Sequence, residues 1–339
     1  MPAPTVSVLL PFRDAAATLD TCLASIRVQT WTDFEVLCID DGSRDGGDAI
    51  AATHASEDPR FRLLRAPASG LVAALNFGLR QARAPLVARM DGDDLMHPRR
   101  LELQQAAMTA DTDLTVLGSR VRAFPAAALS DGFRAYVDWQ NTCVTEQDIA
   151  ADLYLEAPLA HPSVMYRPER IIAAGGYRDG PFPEDYELWL RLHRLGHRMG
   201  KLPRPLLRWR DHPGRLTRVD PRYAREAFDR LRAEHLAADA RLAAHRERLV
   251  IWGAGRRTRR RVAHLLAHGF QPMAWIDIDP RKLGNRIGGV PVVPPDWLRG
   301  RAPRPFVLCY VASHGARPCI DAELERLDFR KGADYLHVG

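Results

Sequence analysis

Three carboxylates close together, Asp91, Asp93 and Asp94, follow the apolar stretch Leu86-Val87-Ala88-Arg89-Met90, with Gly92 between the first two. A strand cannot bury such acids without partners, because a desolvated, unpaired carboxylate is costly or changes its protonation. The run therefore predicts a short buried strand that delivers its acids into a loop. Gly92 is expected to give that loop a backbone conformation other residues resist. Asp91 and Asp93, flanking a small residue, can turn to one side. There a hard divalent cation with oxygen ligands would relieve their repulsion and complete its shell with water and substrate phosphates. The competing reading of a lone Asp-x-Asp is a solvated acidic turn, or a helix cap before Pro98. Asp40-Asp41 likewise follow an apolar run, Phe34 to Ile39. Glu184 and Asp185 open a helical pattern with Leu188, Trp189 and Leu192 on its apolar side; acids there are favoured by the helix dipole and can simply cap it.

The elements that must position these acids follow from periodicity. Val6 to Leu10 reads as a buried strand ended by Pro11, and Asp14 to Gln29 as an amphipathic helix through Leu19, Cys22, Leu23 and Ile26. Phe34–Ile39 is the next strand, so the unit is a parallel βαβ crossover. Ligands bind outside the carboxyl ends of such strands, which would put Asp40-Asp41 and Asp91–Asp94 at one edge. Further strands are expected at Phe61–Leu64, Leu114–Gly118, Ala160–Tyr166 and Leu206–His212, and helices at 71–79 and Pro98–Ala110. The stretch 123–138, rich in Ala, Gly and polar residues, reads as a loop or insertion. Pro221–Arg248 reads as one or two helices joining two domains.

Composition narrows the class. With 339 residues, 46% of them hydrophobic and 27% charged, the chain has the make-up of a globular protein of about two domains. The net charge is +6, carried almost wholly by arginine, since lysine stands only at 201, 282 and 331. Arginine suits bidentate contact with phosphates and carboxylates. No alternation of aromatic and basic residues suggests a nucleic-acid partner. Cys22, Cys38, Cys143, Cys309 and Cys319 are scattered without a Cys-x-x-Cys pair, which argues against a disulfide framework or structural zinc. Met1 to Pro4 lacks the pattern of a signal peptide, and no run approaches 18 apolar residues. The expectation is a cytoplasmic protein, with contact at the inner face of the plasma membrane left open.

Taken in order, Val6-Ser7-Val8-Leu9-Leu10-Pro11-Phe12, Ile39-Asp40-Asp41-Gly42-Ser43, Ala88-Arg89-Met90-Asp91-Gly92-Asp93-Asp94, Gly175-Gly176-Tyr177 and Glu184-Asp185-Tyr186-Glu187-Leu188-Trp189 resemble a family 2 glycosyltransferase of the GT-A fold. The resemblance spans residues 5 to about 215. It implies an α/β fold and a sugar moved from a nucleotide-diphosphate donor, with a uridine nucleotide favoured, to an acceptor hydroxyl with inversion. It assigns a divalent metal, Mn2+ or Mg2+, to Asp93, with Asp91 on the donor ribose or the metal shell and Asp94 bracing the loop. Asp41 would meet the nucleotide base, with Pro11, Arg13 and Arg89 also on the donor. Asp185 would be the catalytic base, with Glu184 beside it in the catalytic pair as neighbour or acceptor contact. His212, in Arg210-Asp211-His212, resembles a histidine that completes the metal shell in related enzymes; a surface histidine before a Pro-Gly turn is the alternative. His161 is expected to be structural or close to the acceptor. Pro205 stands where processive relatives carry glutamine before Arg208-Trp209, which favours one sugar per encounter.

The expected organisation is residues 1–220 as the GT-A domain, 221–248 as a helical connection, and 249–339 as a small Rossmann-like α/β domain. Gly253-Ala254-Gly255 follows a strand and opens a helix, and Asp277 stands 22 residues after Gly255. Thr258 replaces the third glycine of the fingerprint, and about ninety residues is short for a full dinucleotide fold. Docking or self-association is the expected use of this part, with nucleotide contact at Gly253, Gly255 and Asp277 as the alternative. Arg256, Arg257, Arg259, Arg260 and Arg261 crowd the helix start. The setting implied by the resemblance is assembly of a cell-surface polysaccharide or glycoconjugate, with a glycan, lipid-linked or protein acceptor. The rival readings are an NAD-dependent oxidoreductase centred on Gly253–Asp277, a non-catalytic nucleotide-sugar-binding protein, and a basic nucleic-acid-binding protein.

Overall fold

β1 (Val6–Phe12) is buried along its whole length and lies between β2 (Phe34–Asp40) and β4 (Leu86–Arg89), parallel to both. The expected stop at Pro11 does not occur. Pairing with β4 ends at Leu9, so the N–H that proline lacks has no ladder partner to lose. α1 (Ala16–Arg27) returns from β1 with Leu19, Cys22, Leu23 and Ile26 buried. Leu19, Leu23 and Ile26 each contribute about 1.5–3 kcal/mol by leaving water. The structure is a computed structural model that describes residues 3–313 and 315–339. Met1 and Pro2, part of the stretch read for a leader, lie outside the described residues.

The chain divides into two compact units. One holds the residues up to Glu146, Pro158–Gly180 and Glu184–Val219; the other holds Gln147–Ala157, Pro181–Pro183 and Asp220–Gly339. In the first, β2 leads through α2 (Gly47–Glu57) to β3 (Phe61–Arg65), and α3 (Leu71–Gln81) leads to β4. Then come β5 (Leu95–Met96), α4 (Arg100–Ala110), β6 (Leu114–Phe124) and α5 (Asp131–Thr142). α6 (Glu146–Asp152) leads into the second unit, and the first resumes with β7 (Met165–Tyr166), α7 (Pro168–Ala173), α8 (Glu184–Arg194) and β8 (Arg198–Arg210). The eight strands form one mixed sheet in the order β3-β2-β1-β4-β7-β6-β8-β5. β3, β2, β1 and β4 are parallel, and β7 runs against both β4 and β6.

Two further expectations need correction. The stretch 123–138 is not a loop: β6 reaches Phe124, and α5 begins after Ser130, whose hydroxyl accepts the Phe133 N–H. Phe133, Tyr136, Val137 and Gln140 recur at helical spacing, a pattern masked by the small residues before it. Nor is 160–166 a strand. His161–Ser163 is a single 3-10 turn closed by Ser163 Oγ on the Ala160 carbonyl, and only Met165–Tyr166 is extended. Pro162, with no N–H to give, cannot continue a ladder there.

In the second unit, α9 (Leu216–Val219) having closed the first, α10 (Arg225–Ala237) and α11 (Ala240–Ala243) precede β9 (Leu249–Trp252) and α12 (Arg256–Leu266). β10 (Ala274–Ile276), β11 (Arg286–Ile287), β12 (Val290–Val293), β13 (Phe306–Cys309), α13 (Ala316–Arg326) and β14 (Tyr335–His337) complete it. The sheet order is β11-β12-β10-β9-β13-β14, parallel except for β11. The helical connection expected at 221–248 falls inside this unit. So does the excursion Gln147–Ala157, where Tyr154 donates to Asp239 Oδ2 at 2.9 Å and accepts the Gly339 N–H at its carbonyl. Asp229 on α10 accepts from buried Arg232 and Arg261 at 3.1 Å each. Arg261 therefore leaves the basic crowd on α12, whose other four arginines are exposed.

Candidate active site

The carboxyl ends of β1, β2 and β4 form one edge, and the acids stand on it. Asp41 follows β2, its N–H bonded to the Phe12 carbonyl and its carboxylate accepting the Gly70 N–H at 3.1 Å. Arg13, beyond β1, is exposed beside Asp14, while Pro11 is buried. The loop after β4 is held from below: Met90 N–H bonds the Leu9 carbonyl, Thr18 Oγ1 the Gly92 carbonyl and Cys22 Sγ the Asp91 carbonyl. Gly92 keeps an ordinary negative φ, contrary to expectation. Its lack of a side chain matters for space instead. A Cβ would stand 3.3 Å from Phe12 Cβ, a tight approach, and 3.5 Å from Leu19 Cδ1, an ordinary contact, so a larger residue would press the acidic loop against β1.

Each of Asp91, Asp93 and Asp94 offers a carboxylate oxygen within 4.8 Å of the others. His212 Nε2 lies 2.9 Å from Asp93 Oδ2. Arg210, at the end of β8, donates its Nε to the Asp93 carbonyl and its N–H to Asp94 Oδ1. Asp94 is fully buried, and its Oδ2 has no hydrogen-bond partner among the described residues. Burial and then the charge of Asp91 raise the Asp93 carboxyl, with His212 pulling the other way. Burial and then Asp93 and Asp91 push Asp94 well above the carboxylate range. Crowded acids of this kind, with an imidazole and an orphaned oxygen among them, fit a divalent cation, which would remove the repulsion that raises them.

Glu184 and Asp185 occupy the first turn of α8. Glu184 is buried, its Oε1 3.8 Å from His161 Nδ1. His161 Nε2 meets Tyr177 Oη at 2.9 Å, and Tyr177 donates on to Tyr166 Oη. Asp185 is part-buried; desolvation first, then the charge of Glu184, pushes its carboxyl up to about 8. Arg89 joins the two acidic groups. Its guanidinium is 2% exposed and ion-paired with Asp91, and its positive charge also acts on Glu184, His161 and Asp185. Thus Asp91, Asp93, His212, Arg89, Glu184 and Asp185 come together, while Asp41, Pro11 and Arg13 line the neighbouring β1–β2 edge.

Several residues went unread in the sequence. Asn76 on α3 holds Tyr177 by both its backbone N–H and its carbonyl. Gly176, at φ +66°, is where that approach requires glycine, since a Cβ would sit 2.7 Å from Asn76 Oδ1. Arg215 stacks on Trp209 at 4.6 Å and on Phe133 at 4.8 Å, and its charge lowers Asp93 and Asp94. Arg100 and Gln104, four apart on α4, are wholly buried. Polar residues at the core spacing of an otherwise apolar helix face were the available signal.

Gly253, Gly255 and Asp277 belong to the second unit. Gly253 takes φ +113°, and Asp277 accepts from the Ala254 and Asp279 N–H groups and from Lys282. Burial works to raise Asp277, but those donors hold it below the ordinary carboxylate range.

Residues 7–166 match the family described as Glycosyl transferase family 2. The chain is 30% identical over 207 residues to the amylovoran biosynthesis glycosyltransferase AmsE of Erwinia amylovora, covering 61% of this chain and 75% of that one. It is 30% identical over 188 residues to the O-antigen biosynthesis glycosyltransferase WbnJ of Escherichia coli, covering 55% and 71%. Among solved structures, S. aureus TarS 1-349 in complex with UDP-GlcNAc superposes with a TM-score of 0.53 at 18% identity, covering 68% of this chain and 66% of that one. The same TarS fragment in complex with UDP gives 0.52 at 18% identity, with 68% and 65% covered, so the chain spans just under two thirds of it. These two share the fold.

Proposed function

The chain belongs to glycosyltransferase family 2, and from that premise we propose an inverting, metal-dependent, non-processive transfer of one sugar from a nucleotide-diphosphate donor to an acceptor hydroxyl. The observation that carries the reading is the meeting of the Asp91–Asp93–His212 group with Glu184–Asp185 across buried Arg89. A uridine nucleotide is the proposed donor, with Asp41 toward the base, and cell-surface polysaccharide or glycoconjugate assembly is the proposed setting. The names of AmsE and WbnJ and the ligands of TarS support this reading.

Asp93 and His212 would hold a divalent cation, Mn2+ or Mg2+, with Asp91 beside them. When bound, it supplies positive charge for the departing diphosphate. The protein's own groups do the rest. Arg89 fixes Asp91 from the buried side. Arg215, already beside Asp93 and Asp94, adds a positive charge on the same flank. Asp185, with a carboxyl near 8, is a strong enough base to take the acceptor hydroxyl proton as the new oxygen–carbon bond forms and the bond from the anomeric carbon to the phosphate oxygen breaks, releasing the nucleoside diphosphate. A single in-line displacement of this kind inverts the anomeric centre. No observation assigns Gly253, Gly255 or Asp277 to the reaction, and Asp277 has its carboxylate taken up internally. Among the described residues no helix is long and apolar enough to cross a membrane.

The test is a panel of nucleotide sugars with Mn2+ or Mg2+, followed by thermal shift and by product formation. Asp93→Asn is expected to lower transfer about 100-fold or more, the scale of losing one electrostatic stabiliser of the departing charge. The donor-induced thermal shift should lose its dependence on metal as well. Transfer that survives both this substitution and chelation would overturn the metal assignment.

A further inference from the structure

Arg100 sits at the start of α4 with no exposed surface and, among the described residues, no carboxylate at ion-pair distance. Its guanidinium is instead shared among main-chain carbonyls. It donates to Pro162 O at 2.7 Å, Arg89 O at 2.9 Å and Val164 O at 3.1 Å, and its Nε donates to Gln104 Oε1 at 2.9 Å. Gln104 then donates to Leu117 O at 2.7 Å and Ser163 O at 2.9 Å. Burial drags the Arg100 guanidinium down to about 9, so keeping it there carries a real cost. A buried ion is poor stabiliser of a fold: apolar side chains of similar volume often do as well or better.

The identity of those carbonyls gives the cost a purpose. Arg89 O ends β4, immediately before the loop of Asp91 and Asp93. Pro162 O and Val164 O belong to the turn that carries His161, which faces Glu184 and Tyr177. The Arg89 N–H bonds Val164 O too, so that oxygen is shared between the two segments. One guanidinium thus spans the segment holding the leaving-group acids and the segment backing the acids of α8.

We propose that Arg100, seconded by Gln104, is a positioning residue that sets the spacing between the metal-side carboxylates and the Glu184–Asp185 pair. The inference rests on the transferase reading and deepens it. A shift of about 1 Å between reacting groups can cost about 100-fold in rate. Donor hydrolysis uses water, which can approach without a fixed acceptor alignment, so transfer should suffer more than hydrolysis.

The test uses the full chain carrying Arg100→Met, with transfer, donor hydrolysis and melting temperature measured side by side. The expected result is a fall of about 100-fold in transfer kcat, donor KM held within about threefold, and a hydrolysis-to-transfer ratio raised by about tenfold or more. Arg100→Lys, which keeps a charge and some donors, should recover part of the ratio. Hydrolysis and transfer falling in parallel, or an unchanged ratio, would overturn the proposal and leave a structural residue only. If Arg100→Met does not fold, Gln104→Met removes the bond to Ser163 O in the same turn, the bond to Leu117 O on β6 and the acceptor of the Arg100 Nε. Its ratio should move the same way, and an unmoved ratio overturns the proposal. A wild-type chain that transfers no sugar from any nucleotide donor would sink the transferase reading itself; a transferring wild type with unaltered variants sinks this inference alone.

Discussion

Asp185 stands in the first turn of α8, where the helix dipole favours a negative charge, yet desolvation and Glu184 hold its carboxyl near 8. The burial effect outweighs the dipole, whose contribution is about 0.3–1 kcal/mol at an exposed terminus. Transfer should therefore rise with pH and level off above about 8, as the base becomes ionised; a profile flat from pH 6 to 9 would remove Asp185 from the proton transfer. Stability moves the other way. The folded carboxyl is raised above its unfolded value of 3.8, so the folded chain keeps a proton that the unfolded chain has lost. The contribution is full below the unfolded value and drains away as pH climbs toward 8. Asp185→Asn is expected to gain on the wild type in melting temperature from pH 5 to 8, with a constant gap above, while transfer collapses and donor binding persists. Melting curves in a pH series with parallel assays decide both.

At the scale of elements, the acidic loop depends on how closely it lies against β1 and α1. Gly92→Ala should cost about 1–3 kcal/mol, the usual penalty for overpacking, because the new methyl meets Phe12 Cβ, which belongs to a rigid strand. Urea denaturation gives the cost, and weakened metal-dependent donor binding should accompany it; an unchanged midpoint and binding would show that the loop has room. The parallel strands and the acids after them were legible in the sequence, because a strand buried on both faces reads as an uninterrupted apolar run. The helix at Asp131–Thr142 was not, since it fully buries only Val137 and the polar Gln140, with Phe133 and Tyr136 half-buried, and follows a stretch of small residues. Nor were the pairing of Arg89, itself expected on the donor, with Asp91, or the hold of Asn76 on Tyr177, which depends on a partner 101 positions away. Sequence spacing told that Gly92 mattered but not why, since crowding from Phe12 and Leu19 exists only once the chain is folded.

At the scale of the molecule, Gln147–Ala157 belongs to the second unit although the residues on both sides of it belong to the first. Ile149, Leu153, Tyr154 and Leu155 are buried, and Lys331 is ion-paired with Asp152 at 2.6 Å. Deleting 249–339 should thus strip the partners of a segment far upstream, lowering the melting temperature and yielding a chain that aggregates. A truncated chain as soluble and stable as the full one would show that the excursion holds itself together. Three separate stretches of polypeptide make up the second unit, so no single junction separates it from the rest. Recombination that trades the residues beyond 220 between relatives would carry away only the largest of these stretches, and the hybrid would keep the helical excursion at 147–157 from the other parent. Functional chimeras of this protein should therefore need at least two matched exchanges, one near residue 150 and one beyond residue 220.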